Sequence, residues 1–94
     1  MKYLGVTTSA REGEIQIVCT SEIEARLLAI DLRMRLYDAN GLQLDGTKIT
    51  YQGNPWLLKR FLISQNWSLS MDTNTRLVFN KTDQEPAGAA GTLQ

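Results

Sequence analysis

Between Ser21 and Asp38 the chain reads SEIEARLLAIDLRMRLYD, and this stretch restricts the fold more than any other. Stepped at about 100° per residue, Ile23, Leu27, Ile30, Met34 and Tyr37 share one narrow stripe. Ala25, Leu28, Ala29, Leu32 and Leu36 share another, roughly half a turn away. Glu24, Asp31 and Arg35 lie along one polar seam between the stripes, and Glu22, Arg26 and Arg33 along the other. A helix resting on a single core shows one apolar face, so a helix with two is expected to be covered from two directions. The start is marked by a capping box: Ser21 can accept from the first-turn amides while Glu24 reaches back. Glu22 to Arg26 and Asp31 to Arg35 have the favourable acid-first order at four residues' spacing. Asn40-Gly41 is expected to close the helix, since either residue tolerates the left-handed conformation.

The remaining elements follow from alternation and punctuation. Residues 2–8 and 14–19 read as two strands around the turn-like SAREG, the first weakened by Gly5 in its middle. LQLDGTKITYQ reads as a hairpin turning at Asp45-Gly46. Asn54 and Pro55 then make a cap and first position for a second helix reaching about Asn66, with Leu57, Leu58, Phe61 and Leu62 as its main apolar face. Residues 68–80 form a third hairpin around DTNT. From Thr82 the sequence turns small and polar, and a flexible tail is expected over 82–94.

The expected fold is therefore a single α+β domain over residues 1–81. Two helices lie against an antiparallel-rich sheet in the order β-β-α-β-β-α-β-β. Omitting the first strand and the SLSM segment leaves β-α-β-β-α-β, the order of the ferredoxin-like split unit. Gly13 to Ser21 and Gly46 to Asn54 share one spacing, each running from turn through strand to cap, a faint internal echo.

In such a fold the sheet is expected to cover the Ile23–Tyr37 stripe. Leu28, Leu32 and Leu36 then need a second cover: the other helix, the tail, or another copy of the chain. Each buried leucine is worth about 1.5–3 kcal/mol, and three left bare would make a patch of the kind that marks interfaces. These leucines are accordingly the expected self-association residues of a homodimer, the commonest oligomer.

Composition narrows the function classes. Ten basic and ten acidic residues cancel, giving no bulk attraction to nucleic acid or anionic membrane. No apolar run approaches the eighteen or so residues of a span, and MKYLGVTTSAREGE lacks a secretory core, so a cytoplasmic protein without membrane contact is expected. There is no histidine and one cysteine. These counts leave no histidine-based triad or metal site, no structural zinc site of the common kinds, and no base for Cys19, which reads as a small buried residue. Acidic residues are scattered, and DGTKIT lacks the first glycine of a phosphate loop. No catalytic residue, metal ligand or cofactor is expected. Asn66-Trp67-Ser68 and Asn80-Lys81-Thr82 match the glycosylation pattern by coincidence.

What remains is binding. Residues 48–81 carry Lys48, Lys59, Arg60, Arg76 and Lys81 against Asp72 alone, with five of the seven aromatics. Trp56, Arg60, Ile63 and Trp67 follow at spacings of four, three and four, flanked by Lys59 and Asn66. Trp and Arg are the residues most enriched at hot spots, and a cation–π contact joins positions one turn apart. The expectation is a small regulatory protein acting through protein contacts, with Trp56, Lys59, Arg60, Ile63 and Trp67 as the partner-binding ridge; the other use of the two tryptophans is to fill the core beneath the last hairpin. The alternative is a nucleic-acid binder that stacks bases on the aromatics of 48–81; against it, IQIVCT has no aromatic and TKITYQ has one.

Overall fold

The computed structural model describes residues 2–9, 13–37 and 39–81; the expected tail over 82–94 lies outside them. The chain is α+β. It runs β1 (Lys2–Ser9), β2 (Glu14–Val18), α1 (Glu22–Arg35), β3 (Asn40–Asp45), β4 (Lys48–Gln52), α2 (Pro55–Ser64), β5 (Ser68–Asp72) and β6 (Arg76–Lys81). The six strands form one antiparallel sheet in the order β3-β4-β2-β1-β6-β5.

This order corrects one expectation. β1, the strand left out to reach the ferredoxin-like order, is a central strand hydrogen-bonded to both β2 and β6. Its Gly5 falls on the pleat facing away from the helices, where an added Cβ would meet nothing within 4 Å. Its inward residues Leu4 and Val6 are fully buried. A glycine weakens a strand by leaving a packing position empty, and here the position is one that nothing packs on.

Strict alternation builds the core. Ile15 and Ile17 of β2, Ile49 and Tyr51 of β4, and Leu77 and Phe79 of β6 all point to the helix side and are buried. Leu42 and Leu69 from the edge strands pack against them. The β3–β4 hairpin closes through Gly46 and Thr47, one residue later than expected. Gly46 has φ 62°, the positive φ that a type II′ loop requires at its first position.

α1 begins as its sequence implies: the Ser21 hydroxyl accepts from the Glu24 amide at 3.2 Å. It ends earlier. Leu36 is already extended (φ −115°, ψ 105°), its N–H still donating to Leu32. Asn40 and Gly41 belong to β3, where Gly41 (φ 63°) sits at the irregularity between Asn40 and Gln43. Neither i,i+4 ion pair within α1 closes. Glu24 instead binds Lys2 of β1 at 2.7 Å.

α2 is capped by the Asn54 side chain, which accepts from the Trp56 amide at 2.9 Å. Its far end is a Schellman motif. Asn66 is left-handed (φ 71°), the Trp67 N–H donates to Leu62 O, and the Asn66 N–H donates to Ile63 O. α1 lies over β3 and β4, and α2 over β5. No helix among the described residues is long and apolar enough to cross a membrane.

Candidate functional site

The two stripes of α1 exchange the places expected of them. Ala25, Leu28, Ala29 and Leu32 are buried against the sheet, and Leu36 packs beside them. Leu28, Leu32 and Leu36 are thus covered within one chain and are not its self-association surface. The physical reason is shape. Alanines at 25 and 29 let the helix approach the sheet closely, while Leu28 and Leu32 fill the space between strands. The other stripe has no small residue.

That other stripe faces away from the sheet. Ile23 is 69% exposed, Leu27 59%, Ile30 50%, Met34 75% and Tyr37 fully exposed. Scattered exposed apolar residues are ordinary, but a continuous row of this length marks an interaction surface. Within α1 the spacings of Ile23, Leu27, Ile30 and Met34 are four, three and four, the a/d spacing of a helix that packs on another helix, while Tyr37 lies beyond the helix, after extended Leu36. Arg26 and Arg33 flank one side of the row, and Glu24 and Asp31 the other. Glu24 is held by Lys2, while Arg26, Arg33 and Asp31 form no ion pair among the described residues.

The expected ridge on α2 is partly present. Trp56 is 59% exposed with the Arg60 guanidinium 5.0 Å from its ring centroid. Ile63 is half exposed and Leu57 joins it. Lys59 reaches across to Asp72 of β5 at 2.7 Å, and its stem with Asp72, Thr73, Trp56 and Pro55 lines an open groove of about 360 Å³. Trp67 leaves the ridge: the helix ends at Ser64, and left-handed Asn66 turns Trp67 into the core, where it is buried with the Lys81 ammonium 5.5 Å from its ring.

The same burial bears on the basic and aromatic segment. Tyr51, Trp67 and Phe79 are buried and Phe61 is half-buried, which leaves Trp56 as the exposed ring of that segment. A single-strand binder needs several platforms along a positive groove. Lys59 is spent on Asp72, and Arg60 and Lys81 lie against tryptophans.

Cys19 follows β2 directly and faces the core. Burial, with the Glu24 charge adding, pushes its thiol up to about 11, away from the thiolate that nucleophilic chemistry needs. No group of three His, Cys, Asp or Glu side chains gathers to hold a metal among the described residues.

The outer face of the sheet carries an open groove of about 390 Å³ over Gly5, bordered by Tyr3, Val18, Arg76 and Val78. Gly5 pairs with Val18 on one side and Val78 on the other, so the missing side chain is what makes the hollow. The exposed row on α1 was visible in the sequence as a stripe, but the groove over Gly5 was not, because only strand pairing brings Val18 and Val78 together. No family model, no curated protein and no solved structure matches this chain.

Proposed function

We propose that this chain is a small, non-catalytic binding protein that acts through protein–protein contacts and self-associates through the outward face of α1. The observation that carries the reading is the row Ile23, Leu27, Ile30 and Met34 on α1, each at least half exposed, with fully exposed Tyr37 just beyond the helix end. Covering a row of this kind removes several apolar side chains from water, a gain that favours association. The Trp56–Arg60–Ile63 face of α2 serves as a second contact, available for a different protein while α1 is occupied. The reading includes a regulatory role and a cytoplasmic location, where a single reduced thiol such as Cys19 is ordinary. The ferredoxin-like character is kept for one part of the chain: in β2-α1-β3-β4, parallel β2 and β3 flank β4, as in a split β-α-β unit.

The test is sedimentation equilibrium across the micromolar range, for the natural chain and for Leu27→Glu. The natural chain is expected to shift from monomer to dimer mass, and Leu27→Glu to stay monomeric with an unchanged circular dichroism spectrum. A natural chain that remains monomeric at the highest concentration refutes the reading. A gel shift with mixed single- and double-stranded nucleic acid is expected to show no salt-sensitive complex, and such a complex would favour the nucleic-acid alternative instead.

A further inference from the structure

Resting on that self-association, we infer that two copies meet with their α1 helices parallel and in register, about a two-fold axis running along the helices. The first ground is the row itself. Spacings of four and three place Ile23 and Ile30 at one repeat position and Leu27 and Met34 at the other, so like residues meet like residues across the axis. Counted from the core stripe, the row lies on the side of α1 opposite the sheet. A partner helix can therefore approach without meeting a strand.

The second ground is charge, and it chooses the orientation. With Leu27 and Met34 at the first core position of each heptad, Arg26 and Arg33 precede the core on one flank, and Glu24 and Asp31 follow it on the other. In a parallel pair the basic flank of one helix faces the acidic flank of its partner, and charges five residues apart pair across the seam. Arg26 and Asp31 are five apart, so the two-fold makes this pair twice. In an antiparallel pair the flanks meet their own kind: Arg26 faces Arg33, which is repulsive, and Asp31 faces Glu24, whose charge Lys2 already neutralises, so neither side gains an ion pair between the helices. Arg26 and Asp31 form no ion pair among the described residues, so the parallel pair breaks none of the ion pairs seen there.

The apolar row supplies the affinity and the flanking charges supply the orientation. α1 has 14 residues and is about 21 Å long, which makes for a compact interface at the small end of specific ones. The dimer is a reversible one, formed and dissolved in the micromolar range.

Variants of the full chain with one added cysteine test the geometry, because Cys19 is buried and does not compete for oxidant. Ile23→Cys and Met34→Cys lie near opposite ends of α1. In a parallel pair each meets its own counterpart, so mild oxidation of either variant alone yields a disulfide dimer. In an antiparallel pair centred on α1, two copies of position 23 stand about 16 Å apart, too far for a bond that spans about 4.4–6.8 Å between Cα atoms. Dimer would then form only when the two variants are mixed. That pattern overturns the parallel arrangement while leaving self-association standing; a chain that never leaves monomer mass removes both.

A second measurement reads the charges without oxidation. Arg26→Glu is expected to weaken the parallel dimer roughly two- to thirtyfold, the worth of two exposed pairs, and adding Asp31→Arg to restore it. Arg26→Glu tightening the dimer instead would show that it had relieved a clash with Arg33, and would overturn the parallel pairing.

Discussion

Truncating one leucine on each side of α1 separates its two faces by measurement. Leu32 has no exposed surface and sits among Ala29, Leu28 and the sheet. Replacing it with alanine removes a buried side chain and leaves a hole that the sheet cannot close, a change that costs about 2–5 kcal/mol. With about 3 kcal/mol lost from a domain of this size, the thermal midpoint falls by roughly 12–24 °C. Leu27, five residues earlier and 59% exposed, contributes little to the single chain. Leu27→Ala is expected to change monomer stability by no more than about 0.5 kcal/mol. In the dimer it forfeits about 1 kcal/mol per copy, hence about 2 kcal/mol per pair, which raises the dissociation constant roughly thirtyfold. Urea unfolding followed by far-ultraviolet circular dichroism, at a concentration below dissociation, gives the first number, and sedimentation equilibrium gives the second. Working below dissociation matters because a dimer's midpoint depends on concentration. If Leu27→Ala lowers the dilute-solution midpoint as far as Leu32→Ala does, the two faces are not different in kind. If Leu32→Ala leaves stability intact and abolishes the dimer, the faces are assigned the wrong way round.

The remaining predictions concern single side chains. Ser21→Ala removes the acceptor of the Glu24 amide and is expected to cost about 1 kcal/mol, with Ser21→Asp losing much less; urea midpoints decide this. Because burial and the Glu24 charge raise the Cys19 thiol from 9.0 to about 11, the unfolded chain releases that proton between about pH 9 and 11 while the folded chain keeps it. Stability is therefore expected to fall across that window, by at most about 1.4 kcal/mol per pH unit, and the Cys19→Ala chain to lack this component of the fall. Acrylamide is expected to quench Trp56 and spare buried Trp67, so Trp56→Phe should leave a blue-shifted, poorly quenched emission; strong quenching of the remaining ring would refute the burial of Trp67. Asp72→Asn breaks the Lys59 pair, whose side chains are 36% and 47% exposed, and is expected to change stability by under about 1 kcal/mol.

Most of the strands were legible because alternation is a local property, written in pairs such as Ile15/Ile17 and Leu77/Phe79. What escaped depended on geometry between elements. Gly5 made β1 look dispensable, and only the sheet order shows that its bare position faces outward. Trp67 continued the helical spacing of Trp56, Arg60 and Ile63, yet a left-handed Asn66 broke the phase and turned the ring inward. Asparagine is one of the few residues that takes this conformation readily, so the sequence did hold a stop signal at the right place. Lys59 fitted a binding ridge on α2 by spacing alone, and its partner, Asp72, lies thirteen residues away on another element.

The reversed faces of α1 trace to a choice that bulk could not decide, since both stripes are apolar and the exposed one is the heavier. Helix caps could have decided it. A chain that leaves a strand and folds back over the same sheet has its rotational phase set where the cap forms, so the residues facing the sheet fall at fixed distances beyond the cap. Counting from Asn54, α2 turns inward Leu58, Phe61 and Leu62, at four, seven and eight residues. Counting from Ser21, the same distances give Ala25, Leu28 and Ala29, all buried. The strands before the two caps are out of step by one residue, because Cys19 faces inward two before its cap and Tyr51 three before its own. The echo between Gly13–Ser21 and Gly46–Asn54 is therefore a match of caps and helices, not of strands. Read that way, α2, with one clear apolar face, predicts which of the two faces of α1 belongs to the sheet, and so which is left for a partner.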